Sequence, residues 1–512
     1  KAPPSPRTAS TRNSSQHSST LDERVANRRA VIDLRPVGHV IGLLVVAMGV
    51  AMLVPVVFDA FAGDRQAPIL LQIAMLTMVT GGLVALACAN GARGSMTLQQ
   101  IFLLTVGVWV ALPLFGALPF IAGATQASFT DAMFESVSGM TTTGATVFVG
   151  LDDLPVGINM WRMILHWLGG LGIVIVAMLF LPVMKVGGMQ FFKSEGFDTL
   201  GKILPRAMDI SSALIRIYVG MTVACVLTYN AMGMNGTDAL MHALSTVSTG
   251  GFSSYDASFG VFSGPLEYAC VFFMLAATLP FIRYVQMMQG YYTPMWRDQQ
   301  VRAYLRWNLY AALAIAAYHI WVDNVPTHTA FREALFNVAS SFSGTGFVST
   351  DLSQWDAFPL LVIIIVGLIG GCTSSTGCSV KVFRYLILFE AIKVQIKRLR
   401  SPSAVIAVRY EGKVVGQDVL DSVILFFTMF LLTFGVLVVL LSLTGLDVRA
   451  SITAAWTSIA NVGPVFGAGV RPSGALTDFP DSAKWIMIIG MLLGRLELLT
   501  VYVLLMPRFW MR

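Results

Sequence analysis

The chain has 512 residues, of which 55% are hydrophobic and 12% charged, and its mean hydropathy is +0.71. A soluble protein needs far more charge to cover its surface, so the composition excludes a soluble enzyme and places the chain in lipid. The net charge of +6 does not point to nucleic acid, because the basic residues are spread over separate loops and not gathered on one soluble domain.

In chain order, residues 1–36 open with a Pro-, Ser- and Thr-rich stretch that lacks an apolar run. They are expected to form a disordered cytosolic tail and no signal peptide. Continuous apolar blocks follow, each near the ~20 helical residues that cross a hydrocarbon core of ~30 Å. They lie at 37–60, 67–89, 101–121, 163–184, 210–232, 266–282, 304–322, 358–390, 416–443 and 485–507. Ten such blocks predict an all-α polytopic membrane protein with ten transmembrane helices, since a β-barrel would alternate apolar and polar residues in short segments. Basic residues mark every second loop: Arg24, Arg28, Arg29 and Arg35, then Lys185, Lys193, Lys202 and Arg206, then Arg283, Arg297, Arg302 and Arg306. The last group is Lys393, Lys397, Arg398, Arg400, Arg409 and Lys413. By the positive-inside rule these loops and both termini are cytosolic. The opposite loops carry Asp131, Glu135, Asp152, Asp153, Asp238, Asp256, Asp323, Asp351 and Asp356. They read either as an acidic outer mouth that concentrates cations or as ordinary solvated loop residues. Cys88, Cys225, Cys270, Cys372 and Cys378 fall in or near apolar blocks, so no disulfide framework is expected.

The acidic loops also hold a fourfold pattern: a stretch too short to span, then glycine with Thr or Ser, then a full apolar block. The stretches end in SVSGMTTTGATVF (136–148), STVSTGGFSSYD (245–256), SSFSGTGFVSTD (340–351) and SIANVGPVFGAG (458–469). Aligned on Gly144, Gly250, Gly346 and Gly463 they recur roughly every 100 residues, the mark of an internal repeat. The chain then divides into the tail, an added helix pair at 37–90, and pore repeats at 99–185, 206–290, 302–398 and 416–510. No P-loop or strand-borne G-x-G-x-x-G is present, so nucleotide control would need another chain and no organic cofactor is expected in this one.

Irregular backbone survives at membrane depth only where protein buries it or water lines it, so four re-entrant turns imply a shared aqueous axis. A short helix ending at such a turn directs unpaired carbonyls at that axis, equivalent to about half a negative charge, which favours a cation. The turns supply Thr142, Thr143 and Gly144; Ser248, Thr249 and Gly250; Gly344, Thr345 and Gly346; and Asn461, Val462 and Gly463. None carries a charge, so backbone carbonyls must replace the ion's hydration shell, as they do in potassium-channel filters.

On TTTGAT, STGGFS, SGTGF and NVGP in the four turns, with HWLGGLGIVIVA (166–177) and GGCTSSTGCSVKVFR (370–384), the chain resembles the TrkH/KtrB/HKT superfamily of potassium and sodium uptake proteins. The leading helix pair resembles the TrkH and TrkG type. The resemblance spans about residues 37–510 and implies a single-chain pore of pseudo-fourfold symmetry, with K+ held at the filter carbonyls. It implies a homodimer of such pores in the lipid of the bacterial cytoplasmic (inner) membrane, and a cytosolic ring of TrkA-like nucleotide-binding subunits that gate it. In this family glycine at all four filter positions goes with potassium and serine in the first loop with sodium, so Gly144 favours potassium uptake. A sodium or mixed sodium/potassium transporter on the same scaffold is the alternative. The sequence departs from the family pattern at Val465 and at Ser374, Cys378 and Ser379, where glycines are common.

The eighth block is interrupted by GLIGGCTSSTGCS (367–379), a composition that disfavours helix. It is read as a gate containing Gly370, Gly371, Cys372, Thr373, Ser374, Ser375, Thr376 and Gly377, with a static kink as the simpler reading. Lys381 is either a cation near the gate or the start of the cytosolic flank. Arg495, within the last block, costs ~2.5–3.5 kcal/mol at the bilayer centre and needs a partner. It is expected to pin the loop, unless it snorkels as a structural arginine. His166 and Trp167 read as satisfied packing residues, with ligands as the alternative. Asp131 and Glu135 either draw cations to the mouth or, in the case of Glu135, hold the filter by hydrogen bonding. No Cys/His cluster has metal-site spacing, and no residue pair suited to an intramembrane enzyme can be assembled.

Overall fold

The computed structural model describes residues 32–91, 96–179, 207–403 and 406–510. Nearly all of the expected tail, the basic loop 185–206 and the end of the fourth apolar block lie outside the described residues. The leading hairpin is α1 (Arg35–Ala51), α2 (Leu53–Ala62) and α3 (Ala67–Cys88). The stretch expected as the first repeat holds α4 (Leu98–Gly116), α5 (Phe129–Met140) and α6 (Val156–Leu179). The second holds α7 (Ala207–Ala231), α8 (Gly236–Val247), α9 (Pro265–Ala277) and α10 (Phe281–Met288). The third holds α11 (Gln299–Trp321), α12 (Thr327–Ser343), α13 (Ala357–Ile369) and α14 (Val382–Arg400). The fourth holds α15 (Gln417–Leu443), α16 (Val448–Ala460), α17 (Asp481–Arg495) and α18 (Leu499–Leu505). Between the last two repeats lies a small antiparallel hairpin, β1 (Arg409–Tyr410) with β2 (Lys413–Val414), which the apolar pattern gave no sign of.

The short helices start where side chains satisfy their first free amides. Ser128 accepts from the Asp131 amide, Asn235 from Thr237, and Asp447 from Arg449 and Ala450. In the leading hairpin Gly42 and Gly81 bring two backbones together: a Cβ on Gly42 would stand 2.7 Å from the Gly81 carbonyl oxygen. Leu83, Leu227, Leu431 and Val439 remain exposed on the outward faces, as suits contact with lipid.

Among the described residues six helices are long and apolar enough to cross a membrane, or up to eight if each of two bent pairs is one span. The apolar helical character matches the expectation, but several blocks are not straight rods. Block 266–282 is α9 turned by 90° into α10, because Pro280 lacks an N–H and cannot continue the helix. Block 485–507 is α17 turned by 111° into α18, and between them Glu497 takes a left-handed φ of 55° that no right-handed helix contains. α11 has 23 residues but carries Gln299, Gln300, Arg302, Arg306 and Asn308 in its first half. α13 has only 13 residues, because the chain leaves the helix at Gly370 with φ 77°.

Candidate functional site: four glycine turns above a broken helix

α5, α8, α12 and α16 end in one shared stereochemistry. Thr142, Thr249, Gly344 and Asn461 take φ of 51°, 53°, 78° and 52°, and two residues later Gly144, Gly251, Gly346 and Gly463 take 84°, 84°, 81° and 111°. The amides between them, of Thr143, Gly250, Thr345 and Val462, donate back to the carbonyls of Ser138, Ser245, Ser340 and Thr457 at 2.9, 2.9, 2.9 and 3.3 Å. The second turn is therefore set one residue further along than an alignment on Gly250 supposes. Gly251 is the counterpart of Gly144, and Gly250 that of Thr143. STGG offers two adjacent glycines, and only backbone geometry tells them apart.

The turns interlock around a closed ring. A Cβ added to Gly144 would collide with the Gly250 carbonyl oxygen, one on Gly251 with that of Thr345, and one on Gly346 with that of Val462. One on Gly463 would stand 2.9 Å from the Thr143 carbonyl oxygen, which returns the ring to its first member. Glycine is required here by close approach as well as by φ. Thr142, Thr143, Ser248, Thr249, Thr345 and Asn461 are all buried. Beside the ring is a cavity of about 640 Å³, lined by glycines of all four turns and by Asp256 and Asp351. Burial works to raise the Asp351 carboxyl, but hydrogen bonds from Ser353 and Gln354 outweigh it and hold the group below the usual carboxylate value.

Buried polar side chains brace the residues beyond each turn. Glu135 accepts from Thr146 Oγ1 at 2.9 Å and from the Val147 amide at 3.1 Å. His242 Nε2 pairs with Ser253 Oγ at 3.0 Å, and Asn337 Nδ2 donates to Ser349 Oγ at 3.0 Å. Those three residues hold equivalent places; the fourth repeat has Ala454 there, and Thr453 substitutes by bonding the Phe466 carbonyl at 2.7 Å and amide at 3.0 Å. Arg162 of α6 pairs with Glu135 at 2.7 Å and donates to the Ser253 carbonyl at 2.7 Å, so it ties the first turn to the second. His166 does the same. The Phe252 amide donates to its Nε2 at 3.1 Å, which leaves Nδ1–H to donate to the Gly139 carbonyl at 2.7 Å. Asn461 Nδ2 donates to Thr143 Oγ1 at 2.8 Å and joins the fourth turn to the first. Of the readings open for the acidic pair, Glu135 holds the turn, while Asp131 meets Lys484 Nζ at 2.6 Å.

Residues 370–381 run irregularly between α13 and α14, with Gly370, Ser374, Ser379 and Lys381 at φ 77°, 56°, 68° and 77°. Ser374 and Ser379 thus hold a left-handed backbone, which costs roughly 1–2 kcal/mol for an L residue. Neighbours hold the segment in place. The Cys372 amide donates to the Thr278 carbonyl at 3.1 Å, Thr376 Oγ1 to Ala277 at 3.0 Å, and the Phe281 amide to the Ser374 carbonyl at 2.9 Å. A Cβ on Gly377 would stand 3.2 Å from the Ser343 carbonyl oxygen, at the base of the third turn. Arg495 reaches this segment: it donates to the Thr376 carbonyl at 3.4 Å, to Cys378 Sγ, and to the Gly169 carbonyl of α6 at 3.1 Å. Lys381 is buried and 3.2 Å from Glu497, which also pairs with Arg384. Gly251, Arg162, Gln300 and Glu497 are the site residues that sequence reasoning passed over. For Arg162 the signal was present, a lone charge beside an apolar block of the kind that drew notice to Arg495.

The sequence model of the TrkH family, described as a cation transport protein, matches residues 68–511. The chain is 37% identical to the Trk system potassium uptake protein TrkI of Halomonas elongata, over 95% of this chain and 100% of that protein. It is 33% identical to the Trk system potassium uptake protein TrkH of Escherichia coli, over 93% and 99%. The crystal structure of the potassium transporter TrkH from Vibrio parahaemolyticus matches with a TM-score of 0.86 at 32% identity, covering 94% of this chain and all of that one. The chain belongs to the TrkH family of cation transport proteins, and is a transporter and not an enzyme.

Proposed function

We propose that the chain takes up potassium across the bacterial cytoplasmic membrane through a filter made by the four glycine turns. The relatives named above are potassium uptake proteins, and the observation that carries the reading is the closed ring in which each turn's glycine abuts the next turn's carbonyl. Alternation of left-handed and ordinary residues lets successive carbonyls face one side, so four turns present stacked rings of oxygens that replace the hydration shell of K+. The C-terminal ends of α5, α8, α12 and α16 add a negative potential without a fixed charge, so the ion binds yet can leave. Asp256 and Asp351 concentrate cations at the outer mouth.

In this reading the chain crosses the membrane ten times, counting α11, the interrupted α13 and α14, and each bent pair as one crossing, with four re-entrant loops and both termini cytosolic. The 370–381 segment is the gate, latched by Arg495. The basic loops 185–206, 283–303 and 391–413 receive a TrkA-like nucleotide-binding subunit, and two pores pair as a homodimer. Potassium flux into liposomes holding the purified chain, with and without that subunit, and bi-ionic potentials test the reading. A wild-type chain that passes sodium as freely as potassium would replace it with the sodium or mixed transporter.

A further inference from the structure

The connection between β1 and β2 is two residues long, and both, Glu411 and Gly412, take positive φ, 49° and 79°. That is the turn geometry favoured by the twist of a hairpin, but it suits Gly, Asn or Asp, and a glutamate persists in it only where its surroundings over-determine it. The surroundings are at the start of α11. Glu411 Oε1 accepts from the Gln299 amide at 3.3 Å, at the positive end of the α11 dipole, and Oε2 lies 3.5 Å from Arg283 Nη2. Arg283 pairs through Nε with the buried Asp298 at 2.7 Å, and Asp298 caps α11 by accepting from the Gln300 amide at 2.8 Å.

Three physical routes run from this cluster to the 370–381 segment. Gln300 is buried, and its Oε1 accepts both the Thr373 amide at 3.0 Å and Thr373 Oγ1 at 2.8 Å. Arg283 lies in α10, whose first residue, Phe281, donates its amide to the Ser374 carbonyl. Val408, Tyr410 and Val415 of the hairpin region pack on Phe383, Ile387 and Val394 of α14, the helix that leaves the segment at its far end. Hydrogen bonds near 3 Å weaken steeply with displacement, so a shift of the hairpin cannot leave all three routes undisturbed.

We infer that the 409–414 hairpin is a lever on the gate, with Glu411 and Gln300 as positioning residues that hold the 370–381 segment closed. This rests on the reading of that segment as the gate. A cytosolic event that lifts the hairpin draws Glu411 from Arg283 and the α11 terminus, releases Gln300 from Thr373, and frees the middle of the segment.

The test uses the full chain in liposomes with Glu411→Gln and Gln300→Leu, singly and together, and Arg495→Ala in parallel. Resting potassium flux should rise about threefold in each single variant and no further in the double, because both changes remove one constraint. The potassium-to-sodium flux ratio should stay at its wild-type value. Hydrogen exchange at the Thr373 and Phe281 amides should quicken in Glu411→Gln, although neither amide touches Glu411. Effects that multiply in the double variant, or unaltered exchange, overturn the lever. Arg495→Ala raising flux while Glu411→Gln does nothing rejects the lever and keeps the gate; silence in both rejects the gate as well. If Gln300→Leu does not fold, Thr373→Val, which removes only the Oγ1 bond, takes its place in the cycle.

Discussion

Arg162 and Glu135 form an ion pair of 2.7 Å in which both side chains are sealed from solvent. Each also serves the turns: Glu135 accepts from Thr146 and the Val147 amide, and Arg162 donates to the Ser253 carbonyl. Removal of one partner leaves an uncompensated buried charge, a loss of ~3–5 kcal/mol. Arg162→Leu is therefore expected to lower the thermal midpoint in detergent sharply. The double change Arg162→Leu with Glu135→Leu should recover part of that loss, since a buried pair replaced whole is far less costly than one broken. A single variant that melts with the wild type would show that the pair does not hold the turns.

The ring of glycines makes a prediction that separates Gly251 from Gly250. Gly251 has φ 84° and faces the Thr345 carbonyl, whereas a side chain on Gly250, which does not share the positive φ, would meet the His166 ring. Gly251→Ala should therefore behave like Gly144→Ser and admit sodium, with the potassium-to-sodium permeability ratio falling about tenfold or more, a change of ~1.4 kcal/mol in relative barrier. Gly250→Ala should act through His166, chiefly as lost stability. Bi-ionic potentials and melting curves on the same preparations decide it. Selectivity lost in Gly250→Ala but kept in Gly251→Ala would reverse the register argued here.

Much of this was legible in the sequence because it is written in local terms. Apolar blocks, basic loops and the four Gly-containing turns follow from composition within a dozen residues, and the turn chemistry carried Gly144, Gly346 and Gly463 to their places. What was not legible depends on partners far apart in the chain or on dihedral angles. The bends at Pro280 and Glu497 break blocks whose hydropathy is continuous, and the choice between Gly250 and Gly251 is a matter of φ. Arg162 pairs with Glu135 27 residues away, Gln300 with Thr373 73 away and Glu497 with Lys381 116 away, where no periodicity can reach.

No nucleotide-binding motif is present in the sequence, so nucleotides should act only through another chain. Potassium flux through the purified chain alone is expected to be indifferent to ATP, ADP and NADH. It should become nucleotide-dependent when the proposed TrkA-like subunit is added. Neutralising Arg398, Arg409 and Lys413 together should weaken that subunit's binding, and more so at higher salt, because exposed charges are screened. A nucleotide response from the chain alone would end this account.

Arg495 sits where its helix ends, and its guanidinium is shared among the Thr376 carbonyl, Cys378 and the Gly169 carbonyl of α6. An arginine that snorkelled would reach toward an interface, but this one is 2% exposed and turned into the bundle. Gly377 lies against the Ser343 carbonyl at the base of the third turn, so in the proposed reading a group that fixes its neighbour Thr376 fixes the way out of the filter. The strained serines at 374 and 379 give the segment reason to move once the tie is gone, since left-handed residues persist only while neighbours over-determine them. Arg495→Ala should raise potassium flux several-fold while the cytosolic subunit is inactive, and add little when it is active. Shortening the 370–381 segment by a few residues should do the same, and the two changes combined should not exceed either alone, because both remove one constraint. Arg495→Lys is informative beside them: it keeps the charge but loses the planar fork that reaches three acceptors at once, and so should leak at an intermediate rate. An Arg495→Ala protein that folds, reaches the membrane and conducts as the wild type does, with the subunit active or inactive, would show that the latch does not exist.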